Sequence, residues 1–212
     1  MAAPGISRRD ALSKCLAAGL LIATPPLSAS EILSLWEQAE SRSRRPTPAN
    51  ILGPFYKPQA PRMTNLARPE DHGLGLTVSG AVFDTSGRSL PGAVIEVWHA
   101  DPSGQYDNQG FHYRAQLTAL DGGKYSFQTN MPGHYPDRVA QHIHYKVSAP
   151  GHQALITQLY FATDPAFEGD PDKNFVKDPI LKSRELIRPV TVFADPESIR
   201  AAVSFEIVLA RA

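Results

Sequence analysis

Residues 142–161 read HIHYKVSAPGHQALITQLYF and contain two short apolar runs separated by a turn. Both runs, His142–Ser148 and Ala154–Phe161, are rich in β-branched and aromatic residues, which favour strands. Pro150-Gly151 lies between them and is typical of a turn. The stretch therefore predicts two neighbouring strands joined by a tight connection.

Similar runs lie on both sides of this segment. The last one, Ala202–Leu209, alternates apolar and polar residues, as expected of a strand with one buried face. Turn signals such as Asp121-Gly122-Gly123 separate the runs. Many short strands with almost no helix predict an all-β fold, a β-sandwich of the prealbumin-like kind. The remaining strand candidates are Leu76–Phe83, Gly92–Trp98 and Lys124–Thr129.

The segments outside these strands predict the domain organisation. Ile32–Arg44 is a short helix candidate, and Arg45–Pro69 is rich in proline, which removes amide donors and forbids helix. Gly169–Arg188 is long and polar, and we expect a loop that folds over one end of the sandwich. The predicted parts are a signal peptide (1–30), an N-terminal helix with an extended arm (31–73) and a β-sandwich domain (74–212).

The first thirty residues have the layout of a secretory signal. Arg8-Arg9 precedes a short apolar run, Cys15–Ala23, which is too short to span a bilayer comfortably, and small residues follow it. The arginine pair resembles a twin-arginine signal, with an ordinary secretory signal as the alternative. We therefore expect a periplasmic or secreted protein without stable membrane insertion. Cys15 is the only cysteine, so the mature chain would contain no disulfide.

The length of the chain indicates how many domains it forms, and its charge indicates which classes of partner it can attract. The 212 residues suit one domain with a sizeable core. The 21 basic and 21 acidic side chains balance, so there is no net field to attract nucleic acid or an anionic membrane. The oligomeric state is left open, and a homo-oligomer is compatible with the sequence.

His142-Ile143-His144 is the sharpest chemical motif. Residues two apart in a strand project from the same face, roughly 6.5–7 Å apart, so both imidazoles can reach one metal ion. Taken alone, the motif fits a surface accident or a zinc or copper site as well as an iron site.

Two tyrosines in Gly/Pro-rich loops add to this motif. Tyr135 stands in PGHYP (132–136), just before the histidine strand, and Tyr106 ends DPSGQY (101–106). A loop can aim a side chain at a site. The alternative for each tyrosine is packing at a strand end with its hydroxyl in water.

These motifs together resemble the intradiol dioxygenases, the family of protocatechuate and catechol dioxygenases. The resemblance begins at Gly53-Pro54-Phe55-Tyr56 and covers about 110 residues in order. It runs on through Leu90–Tyr106, Leu120–Thr129, Pro132–Pro136, His142–Pro150 and Thr157–Pro165. The chain lacks the long helical N-terminal region of catechol-type members and is nearer in shape to the protocatechuate type.

The resemblance implies an Fe(III) site and its reaction. By position, the four iron ligands are Tyr106, Tyr135, His142 and His144, with Tyr135 as the dissociable ligand that takes up a substrate proton. The implied reaction uses O2 to open a catechol-type ring between its two hydroxylated carbons. Phenolate chemistry agrees independently, because tyrosine ionises near neutrality only beside a strong Lewis acid, and two phenolates plus one hydroxide neutralise a trivalent ion.

The resemblance also implies pocket residues. Gln158 matches a glutamine beside the substrate, and Tyr56 matches an N-terminal pocket wall, while His134 is a candidate to line the pocket. The family arginine that stabilises charge on the substrate falls at Val139, which cannot supply it. We expect Arg138 to substitute from one position earlier, the alternative being a solvated loop arginine.

A rival reading comes from another class of protein. Val78–Thr129 alone fits a prealbumin-like β-sandwich module that binds a carbohydrate or a partner without catalysis. A metal-loaded but inactive relative is a third reading, because of Val139. The sequence leaves open which substituted catechol would be the substrate.

Overall fold

The structure is a computed structural model that describes residues 44–136, 138–195 and 198–212. The predicted signal peptide and nearly all of the predicted helix Ile32–Arg44 lie outside the described residues. Within the described ranges, no helix has the length and apolar character needed to cross a membrane.

Two five-stranded sheets make up the fold, so the all-β expectation is confirmed. Both sheets are mixed, with parallel and antiparallel pairs. One has the order β10-β1-β9-β8, with β4 also paired to β1, and the other has the order β3-β2-β5-β6-β7. The prealbumin-like arrangement stays a prediction. The strands are β1 (Gly75–Asp84), β2 (Val94–Trp98), β3 (Arg114–Thr118), β4 (Lys124–Asn130), β5 (His142–Ser148), β6 (Leu155–Phe161), β7 (Ile187–Arg188), β8 (Val190–Asp195), β9 (Ser198–Ser204) and β10 (Ile207–Leu209).

The two faces of strand β5 have different surroundings: one face packs in the hydrophobic core, and the other carries the two histidines. Its odd-numbered residues Ile143, Tyr145 and Val147 are fully buried and belong to the hydrophobic core. The Tyr145 ring packs against Phe205 with centroids 5.2 Å apart. Ile143 and Val147 each contribute roughly 1.5–3 kcal/mol by leaving water. Because side chains alternate along a strand, the even-numbered residues, including both histidines, face the other side of the sheet.

The single strand predicted at Ala202–Leu209 is wrong, since β9 and β10 are separate. Between them the Phe205 backbone leaves the ladder: its N–H donates to the Ser79 carbonyl at 2.8 Å, and its carbonyl accepts the Tyr125 hydroxyl at 2.6 Å. A Cβ on Gly80 would lie 2.0 Å from the Phe205 oxygen, so this close crossing requires glycine. Apolar alternation continues through the break, which is why the pattern predicts one strand.

The two segments predicted to be irregular, residues 45–69 and 169–188, differ in how much secondary structure they contain. Residues 45–69 contain no helix or strand among the described residues. Isolated bridges at Arg62 and Asn65, and backbone hydrogen bonds such as Thr47 N–H to the Val208 carbonyl, join the segment to the sheets. The predicted loop Gly169–Arg188 contains a short helix, α1 (Pro171–Asn174), begun by the Asp170 side chain, which accepts the Lys173 N–H. It also contains two 3₁₀ turns and ends in β7. Strands β3, β7 and β8 were not predicted.

Candidate metal centre

The two histidines of β5 lie side by side in the middle of their sheet. Their ring centroids are 4.8 Å apart, and both residues are buried. In the ladder, His144 is level with Trp98 of β2 and Gln158 of β6. His142 donates its Nδ1 hydrogen to the Ala140 carbonyl at 2.7 Å, because a carbonyl oxygen can only accept. That bond leaves Nε2 unprotonated and able to bind a metal.

Both predicted tyrosines converge on this histidine pair. The Tyr135 hydroxyl lies 3.2 Å from His142 Nε2, and the Tyr106 ring centroid lies 6.4 Å from that of His144. The two tyrosine rings are 5.5 Å apart, edge to face. The structure thus brings together the four side chains that the sequence singled out.

Close backbone packing holds the two tyrosine loops together. Gly104, with φ +86°, lies against the loop of Tyr135, and a Cβ there would be 1.9 Å from the His134 carbonyl oxygen. Gly133 packs against the loop of Tyr106 in the same way, 2.4 Å from the Pro102 oxygen for a Cβ. Glycine at both positions therefore permits a close backbone contact between the two loops, which any residue with a Cβ would prevent.

Two buried polar atoms of the cluster, the Tyr106 hydroxyl and His144 Nε2, have no hydrogen-bond partner among the residues that the structure describes. Buried polar atoms are nearly always paired, so these two atoms point to a ligand, an ion or a water bound between the side chains. Among the described residues, no group of three or more His, Cys, Asp or Glu side chains could hold a metal. A metal at the histidine pair would therefore take its further protein ligands from tyrosine.

Burial sets the charge state of the cluster. It lowers the pKa of His142 to about 3, helped by the Arg138 charge, and lowers the pKa of His144 well below its ordinary value. Both imidazoles are thus neutral, as metal binding requires. Burial raises the pKa of the Tyr106 and Tyr135 hydroxyls above the usual value for a phenol. Only a strong local cation would hold them as phenolates, and two phenolates with two neutral imidazoles suit a hard trivalent ion.

The N-terminal arm forms one wall of the cluster. Phe55 of the arm stacks on the Tyr106 ring at 4.1 Å and meets the Tyr135 ring edge to face at 6.0 Å, while Trp98 of β2 stacks on the His144 ring at 4.9 Å. Gly53, with φ +75°, approaches so closely that a Cβ there would lie 3.0 Å from His144 Cε1. The segment Gly53–Tyr56, where the family resemblance begins, therefore contacts three of the four candidate ligands: Tyr106, Tyr135 and His144.

Arg138 points into the site, and its neighbour Val139 points out. Arg138 closes a turn with Tyr135, its N–H donating to the Tyr135 carbonyl at 3.0 Å. Its side chain is buried, with Nη1 3.2 Å from His142 Nε2 and Nη2 donating to Gln158 Oε1 at 3.0 Å. Val139 is 43% exposed. The turn, and not strand alternation, sets which of these two residues faces inward.

The other predicted pocket residues lie at different depths. Gln158 is fully buried, donates to the Ile51 carbonyl at 3.0 Å and lies 3.1 Å from His144 Nδ1. His134 is 42% exposed and pairs with the buried Asp164 at 2.9 Å. Tyr56 packs against Trp98, which separates it from His144. Its hydroxyl donates a hydrogen bond to Glu96 and accepts one from Lys146.

Sequence reasoning missed four residues of this site: Phe55, Trp98, Tyr160 and Asp178. Tyr160 and Asp178 both accept hydrogen bonds from Arg138 Nη2, at 2.7 and 3.3 Å. Tyr160 could have been found, since it lies two residues beyond Gln158 on the same strand face. Asp178 comes from the segment predicted to be a loop, and no local pattern marks it.

The chain is similar in sequence and structure to known proteins. The sequence profile of a family described as "Dioxygenase" matches residues 51–211. A catechol 1,2-dioxygenase from Acinetobacter baylyi is 31% identical over 93% of this chain and 70% of its own length. The chain belongs to the intradiol dioxygenase family.

Other members of the intradiol dioxygenase family show the same likeness. A hydroxyquinol 1,2-dioxygenase from Nocardioides simplex is 33% identical over 66% of this chain and 55% of its own length. The dioxygenase domain of a dioxygenase–carbohydrate-binding fusion protein from Streptomyces sp. SirexAA-E is 34% identical, with a TM-score of 0.67, over 79% of this chain and all of that domain. The chain spans 70%, 62% and 55% of the lengths of three catechol 1,2-dioxygenases that it resembles.

Proposed function

We propose that the protein is an Fe(III)-dependent intradiol dioxygenase that uses O2 to open a catechol-type ring to a muconate-type diacid. The observation that carries the proposal is the cluster of two neutral imidazoles and two phenols, in which the Tyr135 hydroxyl lies 3.2 Å from His142 Nε2 while the buried Tyr106 hydroxyl and His144 Nε2 have no hydrogen-bond partner among the described residues. Relatives named as catechol, hydroxyquinol and chlorocatechol 1,2-dioxygenases support the substrate class.

Tyr106, Tyr135, His142 and His144 would hold the ion. Bound Fe(III) would supply Lewis acidity that lets catechol and tyrosine hydroxyls lose their protons near neutral pH. Tyr106 and Tyr135 are both half-buried loop residues, and the family resemblance makes Tyr135 the ligand that would move aside. Its phenolic oxygen would accept a proton from the incoming catechol, as a general base.

Arg138 would stabilise the negative charge that develops on the substrate. Its guanidinium lies beside His142 Nε2 in a buried setting, where a fixed charge acts more strongly than in water. Gln158 would hold both Arg138 and the arm in place, because its amide bonds Arg138 and the Ile51 carbonyl. Tyr56 and His134, at the edge of the cluster, would line the approach of the ring substituent.

A non-catalytic β-sandwich binding module is the rival function. Such a module has no use for two phenols and two imidazoles gathered around one point. A tyrosinate–Fe(III) centre absorbs visible light, so the colour of the purified protein separates the two functions.

We also propose that the protein is exported, by the twin-arginine route, to the periplasm or the medium. The proposal rests on Arg8-Arg9 and the apolar run that follows them. Export of a folded protein would let the ferric site assemble in the cytoplasm, away from competing external metals.

The test combines iron content, colour and oxygen uptake. We expect about one iron per chain, a visible band that shifts when catechol is added without O2, and O2 uptake that yields a ring-opened diacid. His142→Ala serves as the control, because it should lack both iron and colour. Colourless protein with stoichiometric zinc and no iron after reconstitution would overturn the proposal.

A further inference from the structure

Arg138 is a buried cation with one buried counter-ion. Of the described residues, only Asp178 presents a carboxylate within ion-pair range, with Oδ2 3.3 Å from Arg138 Nη2. Both side chains are almost entirely shielded, at 5% and 0% exposed. A buried guanidinium without a partner is strongly destabilised, so Arg138 depends on this carboxylate for its place in the site.

Asp178 is itself held rigidly. Its Oδ1 accepts the Ile180 N–H at 2.9 Å, and its main-chain carbonyl accepts the Leu181 N–H at 3.1 Å. Leu181 is buried in the hydrophobic core, so this stretch is anchored to the body of the fold. The carboxylate is therefore a fixed point and not a mobile surface group.

The same carboxylate also reaches the chain that leads into β5. Its Oδ2 accepts the Ala140 N–H at 3.3 Å, two residues before His142. Asp178 thus contacts both the Arg138 side chain and the backbone between Arg138 and His142. Its two contacts define where the guanidinium lies relative to the histidine pair.

In this position Arg138 keeps a hydrogen-bond donor that no described residue accepts. Its Nε is buried without a hydrogen-bond partner, while Nη1 faces His142 Nε2. If the guanidinium turned away from the histidine pair, its contact with His142 would be lost. Its orientation therefore decides whether its charge reaches a bound catechol.

We propose that Asp178 is a positioning residue that acts through Arg138, holding the guanidinium where it stabilises charge on the bound catechol. The inference rests on the proposed function. It also explains how an arginine one position away from the family pattern can serve the site, since the turn at Tyr135 brings Arg138 inward and Asp178 fixes it there.

A double-mutant cycle tests this coupling. The proteins are the parent, Asp178→Asn, Arg138→Gln and the double variant, all iron-loaded and all measured for iron content, visible band, Tm, kcat and KM. Asp172→Asn is the matched control, because Asp172 lies in the same segment but is 78% exposed and pairs only with Arg184. Titrating the visible band with catechol in the absence of O2 gives a dissociation constant that needs no turnover.

We expect Asp178→Asn to keep its iron and colour while kcat falls roughly tenfold to a hundredfold, because the lost interaction acts mainly in the transition state. The catechol dissociation constant should rise by about threefold to tenfold, as a displaced cation attracts the anion less. In the double variant both quantities should equal those of Arg138→Gln within about threefold, because residues that act as one unit are not additive.

Three results would overturn the inference: unchanged kcat and catechol affinity in Asp178→Asn, loss of its iron, or effects that multiply in the double variant. If Asp178→Asn alone does not fold, the double variant still decides, because it removes both charges together. Its kcat and catechol affinity should then match those of Arg138→Gln, and lower values would refute the coupling. A parent that takes up no O2 would refute the proposed function, while the catechol titrations would still report on the pair. A parent that binds no iron would refute both.

Discussion

Gly53 offers a direct test of how the N-terminal arm supports the candidate metal centre. Its φ of +75° lies in the left-handed region, and a Cβ there would stand 3.0 Å from His144 Cε1. Gly151 provides a matched control, with φ +72° and nothing within 4 Å of the same added atom. Alanine at either position strains the backbone, but only Gly53→Ala also presses on a candidate ligand.

The expected magnitudes follow from this difference. The left-handed conformation costs an alanine roughly 1–2 kcal/mol, so each variant should lose about that much free energy of unfolding. For a domain of this size the loss corresponds to a Tm lower by about 2–8 °C. In Gly53→Ala the His144 ring must also shift by a few tenths of an ångström. That ring is stacked on Trp98 at 4.9 Å and lies against Gln158, so its neighbours must move with it.

The assay compares iron affinity and thermal unfolding in the two variants and the parent. Because disturbing the contacts that orient a metal ligand typically weakens metal binding 10–100-fold, we expect a loss of about that size in Gly53→Ala alone. Competition with a chelator of known affinity measures it, and the visible band should fade in proportion. If Gly53→Ala matches Gly151→Ala in both iron affinity and Tm, the close approach to His144 has no role in metal binding.

Three further predictions concern the site and its export. Tyr135→Phe should stay coloured but turn over slowly, whereas His142→Ala should bind little iron; equal iron loss in both, measured per chain, would mean that their roles are assigned wrongly. Val139→Arg should leave kcat within about twofold, because that side chain is 43% exposed and a new cation there would stay in water; a clear rise in kcat would show that position 139 reaches the substrate. Replacing Arg8 and Arg9 by lysine should leave precursor in the cytoplasm, as seen by fractionation, and normal export would point to the ordinary secretory route.

The sequence by itself determined the local features of this protein. Strand β5 runs from His142 to Ser148, as its β-branched and aromatic residues predicted, and the two-residue period put both histidines on one face. Family membership followed from motifs in order along the chain. The bounds of the strand, the face of its histidines and the order of the motifs all depend on residues close together in the sequence, so the sequence alone predicts them.

Some strands escaped prediction because their local pattern is weak or continuous. β3, with the sequence RAQLT, has polar residues at three of its five positions, yet it pairs with β2 along its whole length. β9 and β10 share one apolar alternation, and only the contact between Phe205 and Gly80 separates them. Pairing and close approach between distant segments leave no trace in a short window of sequence.

The tertiary structure alone decided how the candidate site is assembled. The turn at Tyr135 directs Arg138 inward and Val139 outward, in a stretch that belongs to no strand, so no strand period in the sequence determines their orientation. Asp178, forty positions after Arg138, supplies its counter-ion from a segment that looked like a polar loop. A buried charge needs an opposite charge close in space, but the chain can bring one from any distance along the sequence, so only the fold determines which residue it is.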